Sequence, residues 1–300
     1  MRILNFGSLN VDYVYSVDYF VRAGETLKVN GREVIPGGKG LNQSIALARA
    51  GAQVCHAGCI GADGEFLRTL LRENGVDDSL LRSIEGMQGH TIIQVDKKGE
   101  NCILLYGGTN RRISVDQVNE TLAGFGAGDW LVLQNEINCL PEIVDAAHAR
   151  GMRIVLNPSP YEDSLKAVDF GKLSWLLVNE IEACQCSGSD DPEKAWDVLH
   201  EKWPGLSVLI TLGGAGSIAH RVTEGGVETA RQQAFKADAV DTTAAGDTFT
   251  GYFIGGLAEG RPLAECMRRA SMASAIGVTR MGAAVSIPLR GEVEERLAQL

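Results

Sequence analysis

Short apolar runs alternate with amphipathic segments along most of this sequence, and that alternation constrains the fold more than any other feature. Apolar runs bounded by turn residues suit strands buried on both faces, and the amphipathic stretches between them suit crossover helices, so the pattern predicts βαβ units on a mainly parallel sheet. Strands are expected at Arg2–Gly7, Gln53–Cys59, Trp130–Gln134, Arg153–Asn157, Trp175–Asn179 and Ser207–Leu212. Helices are expected near Leu41–Ala50, Gly64–Asn74, Pro141–Arg150, Pro192–Trp203, Gly246–Ala258 and Pro262–Val278. Pro141, Pro192 and Pro262 each stand where a helix begins, a place that needs no backbone N–H from them.

Two segments break the alternation. From Asp12 to Pro36 the pattern is strand-like, with Asn30-Gly31 in "KVNGREV" expected as a hairpin turn. From His90 to Tyr106, "HTIIQVDKKGENCILLY" predicts a second hairpin turned at Lys98-Gly99. The segments 12–36 and 90–106 are expected to pair into a small accessory sheet placed as a lid.

Composition excludes several classes. A net charge of −10 argues against a nucleic-acid surface, and no run reaches the ~18 apolar residues of a membrane-spanning helix. The first residues, "MRILNFGSLNVDY", carry no basic leader followed by a long apolar stretch, so a cytoplasmic protein is expected. Seven cysteines at irregular spacing, including only a CxC at Cys184 and Cys186, fit reduced thiols better than a disulfide framework or a metal site.

Four stretches can carry chemistry. In "DTTAAGDTFTGYF" a helix beginning near Gly246 leaves unpaired N–H groups in its first turn, and Ala244, Ala245 and Gly246 have too little side chain to keep an anion away. Asp247 at the same helix start is placed to take a proton from an attacking hydroxyl, or simply to favour the helix dipole. In "PGGKGLNQSIALARAGA", Gly37, Gly38 and Gly40 let backbone approach a ligand while Lys39 and Asn42 offer donors; an ordinary glycine-rich turn into a packed helix is the other reading. The turn in "LITLGGAGS" lies past a strand's carboxyl end and suits a nucleotide phosphate or ribose, as well as a plain hairpin. In "VNEIE", Asn179, Glu180 and Glu182 gather oxygens that suit Mg²⁺ through its waters, or a solvated loop. Neither GxxxxGK[ST] nor a GxGxxG following a strand is present.

Taken together, "GSLNVD" (Gly7–Asp12), "GET" (Gly24–Thr26), "PGGKGLNQ" (Pro36–Gln43), "LNPSP" (Leu156–Pro160), "NEIEA" (Asn179–Ala183), "ITLGGAG" (Ile210–Gly216), "DTTAAGDTFTG" (Asp241–Gly251) and "VTRMGAAVSIP" (Val278–Pro288) resemble, in order, the ribokinase-type (PfkB-like) carbohydrate kinases. The resemblance spans residues 3–290. It implies one Rossmann-like α/β kinase domain over residues 1–300, with a mainly parallel sheet flanked by helices and a small β-sheet lid. It implies ATP-dependent phosphorylation of a primary hydroxyl of a small sugar, D-ribose first, with another sugar or a nucleoside as the alternative acceptor and a silent sugar- or nucleotide-binding protein as the second.

Position by position, the resemblance implies Asp247 as catalytic base and Ala244, Ala245 and Gly246 as an anion hole. It makes Asn10, Asp12, Gly38, Lys39, Asn42 and Glu136 groups that bind the sugar. Asn179, Thr211, Gly213, Gly216, Gly246 and Ser271 become nucleotide contacts, and Glu182 the acid that organises Mg²⁺ and its waters. Asp241, the carbonyls of Thr243, Gly277, Arg280 and Gly282, and Ser286 match a site for a monovalent cation such as K⁺. Lids of this family often pair between subunits, which implies a homodimer. The departures are His90 and Thr91, which stand where the family has small or apolar residues close to the sugar, and Arg111 and Arg112, which follow a Gly-Gly turn and are either solvated or polar groups gained near the sugar pocket.

Overall fold

The structure, a computed structural model, describes residues 1–300. In chain order the elements are β1 (Ile3–Phe6), β2 (Asn10–Ser16), β3 (Gly31–Gly37), α1 (Lys39–Arg49), β4 (Val54–Ile60), α2 (Glu65–Glu73), β5 (Asp77–Ser83), β6 (His90–Val95) and β7 (Asn101–Tyr106). Next come α3 (Val115–Leu122), β8 (Trp130–Gln134), α4 (Leu140–Ala149), β9 (Arg153–Asn157), β10 (Trp175–Asn179), α5 (Glu180–Ser187), α6 (Ala195–Lys202) and β11 (Ser207–Thr211). The chain ends with β12 (Ser217–Thr223), β13 (Gly226–Gln232), α7 (Ala245–Ala258), α8 (Leu263–Gly277) and α9 (Arg290–Ala298). No helix is long and apolar enough to cross a membrane.

The large sheet runs β13-β12-β11-β10-β9-β8-β1-β4-β5 and is parallel from β11 to β5, with β12 and β13 antiparallel at one edge. Successive strand residues face opposite layers. Ile3 belongs to one buried cluster, with Leu41 and Ile45 of α1, Leu67 of α2, Phe253 of α7 and Met267 of α8. Its neighbour Leu4 belongs to the other, with Val118 of α3, Ile143 of α4 and Leu199 of α6. This two-sided burial explains why the parallel strands read as uninterrupted apolar runs.

The small sheet, β3-β2-β6-β7, is not two local hairpins laid side by side. Its central pair, β2 and β6, is parallel, and the expected Asn30-Gly31 hairpin does not exist. Lys28 and Val29 form no strand. β3 begins at Gly31 and pairs antiparallel with β2, Ser16 opposite Gly31, across a long irregular connection. Asn30 closes that connection by donating its backbone N–H to the Ser16 carbonyl and its side-chain amide to Asp18. The other turn is as expected: Gly99 has φ +81°, and Asp96 Oδ1 accepts from the N–H groups of Lys98 and Glu100.

Pro141 and Pro262 stand at helix starts, but α6 begins only at Ala195. Pro192 opens a preceding turn that Asp191 ties by accepting from Glu193 N. The strands β5, β12 and β13 and the helices α3, α5 and α9 were not among the expected elements; α3 and α5 are only eight residues long.

Helices α1 and α7 cross closely enough that a Cβ on Gly251 would lie 2.4 Å from Ala46 Cβ and 2.8 Å from the Ala46 and Leu47 backbone. Backbone cannot yield as a side-chain tip can. Gly251→Val is therefore expected to destabilise the protein by about 3 kcal/mol, the upper part of the usual overpacking range. A urea midpoint equal to the parent's would contradict this packing.

Candidate active site

The site lies at the carboxyl ends of the parallel strands, where α1, α5 and α7 begin. Helix α1 reaches it because glycine backbone meets glycine backbone: a Cβ on Gly40 would lie 2.3 Å from Ser8 N, and one on Gly7 would lie 2.7 Å from Gly40 Cα. Gly38, the residue before α1, has φ +96° and sits against Asn10 N.

At the start of α7 the backbone turns left-handed at Ala244, φ +59°. The turn leaves the N–H groups of Ala244, Gly246 and Asp247 without an acceptor, while Ala245 N–H is engaged by the Thr242 carbonyl at 3.2 Å. Aligned, unpaired donors at a helix N-terminus make an anion site. The left-handed alanine costs about 1–2 kcal/mol. Ala244→Gly relieves that strain, less the ~0.5–1 kcal/mol of extra chain freedom a glycine loses on folding. A melting temperature raised by about 2–4 °C with turnover retained is the expected result, and an unchanged or lower one would contradict the strain.

Asp247 is 6% exposed and both carboxylate oxygens are held, Oδ2 by Asn42 Nδ2 at 3.0 Å and Oδ1 by Gln43 Nε2 at 2.9 Å. Each oxygen retains a lone pair for an incoming hydroxyl. With Lys39, Asn157, Asn179, Glu182, Thr211, Ala244, Ala245 and Gly246, Asp247 lines a cavity of about 260 Å³. Burial works to lower the Lys39 pKa, but the carboxylates of Asp247, Glu136 and Glu182 outweigh it and hold the ammonium above its ordinary value. A cation thus stands among the acids.

Among the residues expected to bind a sugar, Glu136 Oε2 accepts from Lys39 N at 3.0 Å and from the Ser8 hydroxyl. Asn10 Oδ1 accepts from Asn110 Nδ2 at 2.7 Å, which leaves the Asn10 amide N–H groups free to donate. Asn42 Oδ1 is buried without a partner, a free acceptor beside Asp247. Burial pushes the Asp12 carboxyl up to about 6; the Thr91 hydrogen bond opposes this and the nearby Glu136 charge adds to it. Gly37 must lack a side chain because a Cβ there would fall 1.9 Å from Asp12 Oδ2.

The departures resolve into supports. Thr91 Oγ1 donates to Asp12 Oδ1 at 2.6 Å. His90 pairs with Val11 one residue out of phase with Asp12, so it faces away from that carboxylate and packs between the rings of Tyr13 and Tyr106. Arg111 donates to the carbonyls of Ile137 and Asn135, and Arg112 to that of Glu85.

All six residues expected at a nucleotide, Asn179, Thr211, Gly213, Gly216, Gly246 and Ser271, line one cavity of about 550 Å³, together with Phe235 and Ala275. A larger cavity of about 1000 Å³ shares Phe235 and Ala275 as a wall but includes neither Asp247 nor Glu182. Gly216 has φ +101°, and a Cβ there would strike Gln232 O at 2.0 Å.

Glu182 forms a capping box with Asn179: its N–H donates to Asn179 Oδ1 at 2.8 Å, and its Oε2 accepts from Asn179 N at 3.1 Å. No group of three or more acids, histidines or cysteines is set to hold a metal by itself. A Mg²⁺ here would take most of its ligands from phosphates and water, as that ion commonly does.

At the expected monovalent-cation position, Asp241 accepts from Thr243 N and Gly282 N, both at 2.9 Å. Burial alone would raise its pKa, but those hydrogen bonds prevail and hold it below the usual carboxylate range. The carbonyls of Thr243, Arg280 and Gly282 accept no hydrogen bond, that of Gly277 accepts from Arg280 N, and Ser286 Oγ donates to Ala283 O. A carboxylate beside free carbonyls is a donor set that fits a monovalent cation.

Ser8, Gln43, Asn110 and Asn157 belong to the site and were not singled out as site residues. Ser8, Gln43 and Asn157 stand inside the quoted motifs, Gln43 directly beside Asn42 and Ser8 two residues before Asn10.

Residues 2–290 match the model of the pfkB family carbohydrate kinases. The chain is 36% identical over 306 residues to the ribokinase of Haemophilus influenzae, covering 97% of this chain and 96% of that one. It is 32% identical over 301 residues to the ribokinase of Bacillus subtilis, covering 99% of each. Among solved structures it is similar to the ribokinase of Cryptococcus neoformans in complex with ADP, with TM-score 0.85, 33% identity and coverage of 98% and 99%. It is also similar to Arabidopsis thaliana ribokinase complexed with ribose and ATP, with TM-score 0.82, 27% identity and coverage of 99% and 98%.

Proposed function

The chain belongs to the pfkB family of carbohydrate kinases, and from that membership we propose that it transfers the γ-phosphoryl group of ATP to the 5-hydroxyl of D-ribose, giving D-ribose 5-phosphate and ADP. The observation that carries this reading is the meeting of Asp247 with three unpaired N–H groups at the start of α7, at the junction of the sugar-facing residues and the nucleotide cavity. In this reading Asp12, Asn10, Asn42 and Glu136 hold the ribose hydroxyls. Asp247 takes the proton of the attacking hydroxyl, and the helix-start amides with Lys39 stabilise charge developing on the transferring group. Glu182 would hold a hydrated Mg²⁺ beside the phosphates, supplying charge that offsets theirs. Asp241, Ser286 and the neighbouring carbonyls would hold K⁺, fixing the loop that carries Ala244. The protein acts in the cytoplasm in this reading, with no nucleic-acid or membrane partner.

D-Ribose is favoured over another acceptor because Thr91 and His90 do not add polar groups to the sugar side: one supports Asp12 and the other faces away. ADP release measured over D-ribose, 2-deoxyribose, fructose and nucleosides, with and without potassium, tests the reading. Highest kcat/KM for D-ribose supports it. A nucleoside or other sugar in that place replaces the acceptor, and ATP binding with no ADP release on any of them points to a silent binding protein.

The small sheet acts as a lid and pairs with its counterpart in a homodimer. Supporting this, Val34, Ile92, Leu104 and Tyr106 are exposed on one face of the small sheet, Ile103 and Leu105 are exposed on the other, and β7 is an open edge. Leu104→Glu, at a residue 64% exposed, is expected to convert the dimer to monomer in light scattering without lowering the melting temperature of the protomer. A parent that already runs as a monomer would contradict the pairing.

A further inference from the structure

Beneath the site lies a run of fully buried polar side chains that the reaction itself does not call for. Asn5 of β1, Gln43 and Ser44 of α1, His56 of β4 and Gln134 of β8 all have 0% exposure. Polar groups taken so far from water are costly unless hydrogen-bonded, and these bond chiefly to one another, with Gln134 Oε1 and His56 Nε2 left without a partner. Gln43 Nε2 donates to Asp247 Oδ1 at 2.9 Å and lies 3.4 Å from Asn157 Oδ1. Gln134 Nε2 donates to Gln43 Oε1 at 2.7 Å and to Asn5 Oδ1 at 2.9 Å. Asn5 Nδ2 donates to the Gly40 carbonyl and to Ser44 Oγ, both at 2.8 Å. Ser44 Oγ lies 2.8 Å from His56 Nδ1, the far end of the chain.

The chemistry fixes the sense of each amide. The Gln43 nitrogen faces a carboxylate and a carbonyl oxygen, both acceptors, so its oxygen must face Gln134. Gln134 must then present its nitrogen, which finds a second acceptor in Asn5. Turning the Gln43 amide over would set its oxygen against Asp247 and its nitrogen against the Gln134 nitrogen. Gln134 is therefore what prevents that turn, and Asn5 holds Gln134 while tying the first turn of α1 to β1. At the far end burial pushes His56 down to about 4, so it remains neutral, and its Nδ1 can accept a hydrogen bond from the Ser44 hydroxyl.

We propose that Gln134 and Asn5, backed by Ser44 and His56, are positioning residues that act through Gln43 to hold the Asp247 carboxylate in the orientation needed for proton transfer, without touching sugar or nucleotide. The proposal rests on the reading of Asp247 as the catalytic base. It separates from a merely structural role by coupling: a packing contribution adds independently to the loss of Gln43, whereas a positioning contribution vanishes once Gln43 is gone.

The test is a double-mutant cycle on the single-turnover rate of phosphoryl transfer, using Gln134→Met and Gln43→Met, which remove the amides at nearly constant volume. Gln134→Met alone is expected to slow transfer about tenfold or more, in line with the sensitivity of such steps to small displacements, with KM for sugar and ATP little changed. In the Gln43→Met background it is expected to change the rate less than about twofold. An unchanged rate in the single variant, or effects that multiply in the double, overturns the proposal. Circular dichroism checks the fold; if Gln134→Met does not fold, Asn5→Leu is read by the same criteria. A parent that phosphorylates no sugar overturns the function and this inference together, while an active parent with unaffected variants overturns the inference alone.

Discussion

Asp247→Asn is expected to lower kcat by about 10²–10⁴-fold, the usual contribution of a positioned general base, while leaving KM for ATP nearly unchanged. The substitution keeps the shape of the side chain but gives it an NH₂ where it faced two amide donors, Asn42 Nδ2 and Gln43 Nε2. One of those amides must turn. Gln43 is held by Gln134, so Asn42, whose Oδ1 has no partner, is the one that turns and accepts. The expected binding groups on β2 and the glycine turn after β11 stay where they are, so the main loss falls on kcat, and the turn of Asn42 touches only the sugar KM. Rapid-quench measurement with saturating substrates checks this, and a variant within threefold of the parent would remove Asp247 from the chemistry.

The second large effect is at the other end of the sugar site. Asp12→Asn replaces a charged acceptor by a neutral one and is expected to lower kcat/KM for the sugar roughly 10–100-fold, since hydrogen bonds to charged groups contribute about 1.5–3 kcal/mol. The ATP KM should not follow. With the Asp12 pKa pushed up to about 6 by burial, the carboxylate is the ionised acceptor above that pH and a protonated one below it. In the parent, then, the sugar KM should fall as pH rises from 5 to 7, and in Asp12→Asn that dependence should flatten. A parent KM independent of pH over the interval, measured at saturating ATP, would show that Asp12 is not the acceptor the geometry makes it.

The parallel sheet was legible because its strands are buried on both faces, so Trp130–Gln134, Arg153–Asn157 and Trp175–Asn179 appear as apolar runs with the observed bounds. The amphipathic edge, such as β5 with "DDSLLRS", carried no such signal because one side of it meets solvent. The small sheet was located correctly but its pairing was not. Asn-Gly favours a two-residue hairpin locally, yet β2 finds both its partners at long range, β3 across an irregular connection and β6 in parallel register. Tertiary pairing overrode turn propensity there.

Within the site, the residues carried by the motifs converge on the two cavities and the strand ends around them. What could not be read was the layer beneath. Gln43, Gln134, Asn5 and His56 are distant in sequence and polar in otherwise apolar stretches, and only the closing of α1 onto β1, β4 and β8 brings them into one chain of hydrogen bonds. The part played by Arg111 and Arg112 was open for the related reason that their partners are distant in sequence: here both guanidinium groups donate to carbonyls of neighbouring loops.

The most direct test of the account is the phosphorus NMR spectrum of a reaction containing the protein, ATP, Mg²⁺, K⁺ and D-ribose labelled with ¹³C at carbon 5. A phosphate monoester signal coupled to the labelled carbon, growing in step with ADP, is the predicted result. ADP accompanied only by inorganic phosphate, or a phosphate ester carried by a different carbon, would contradict it.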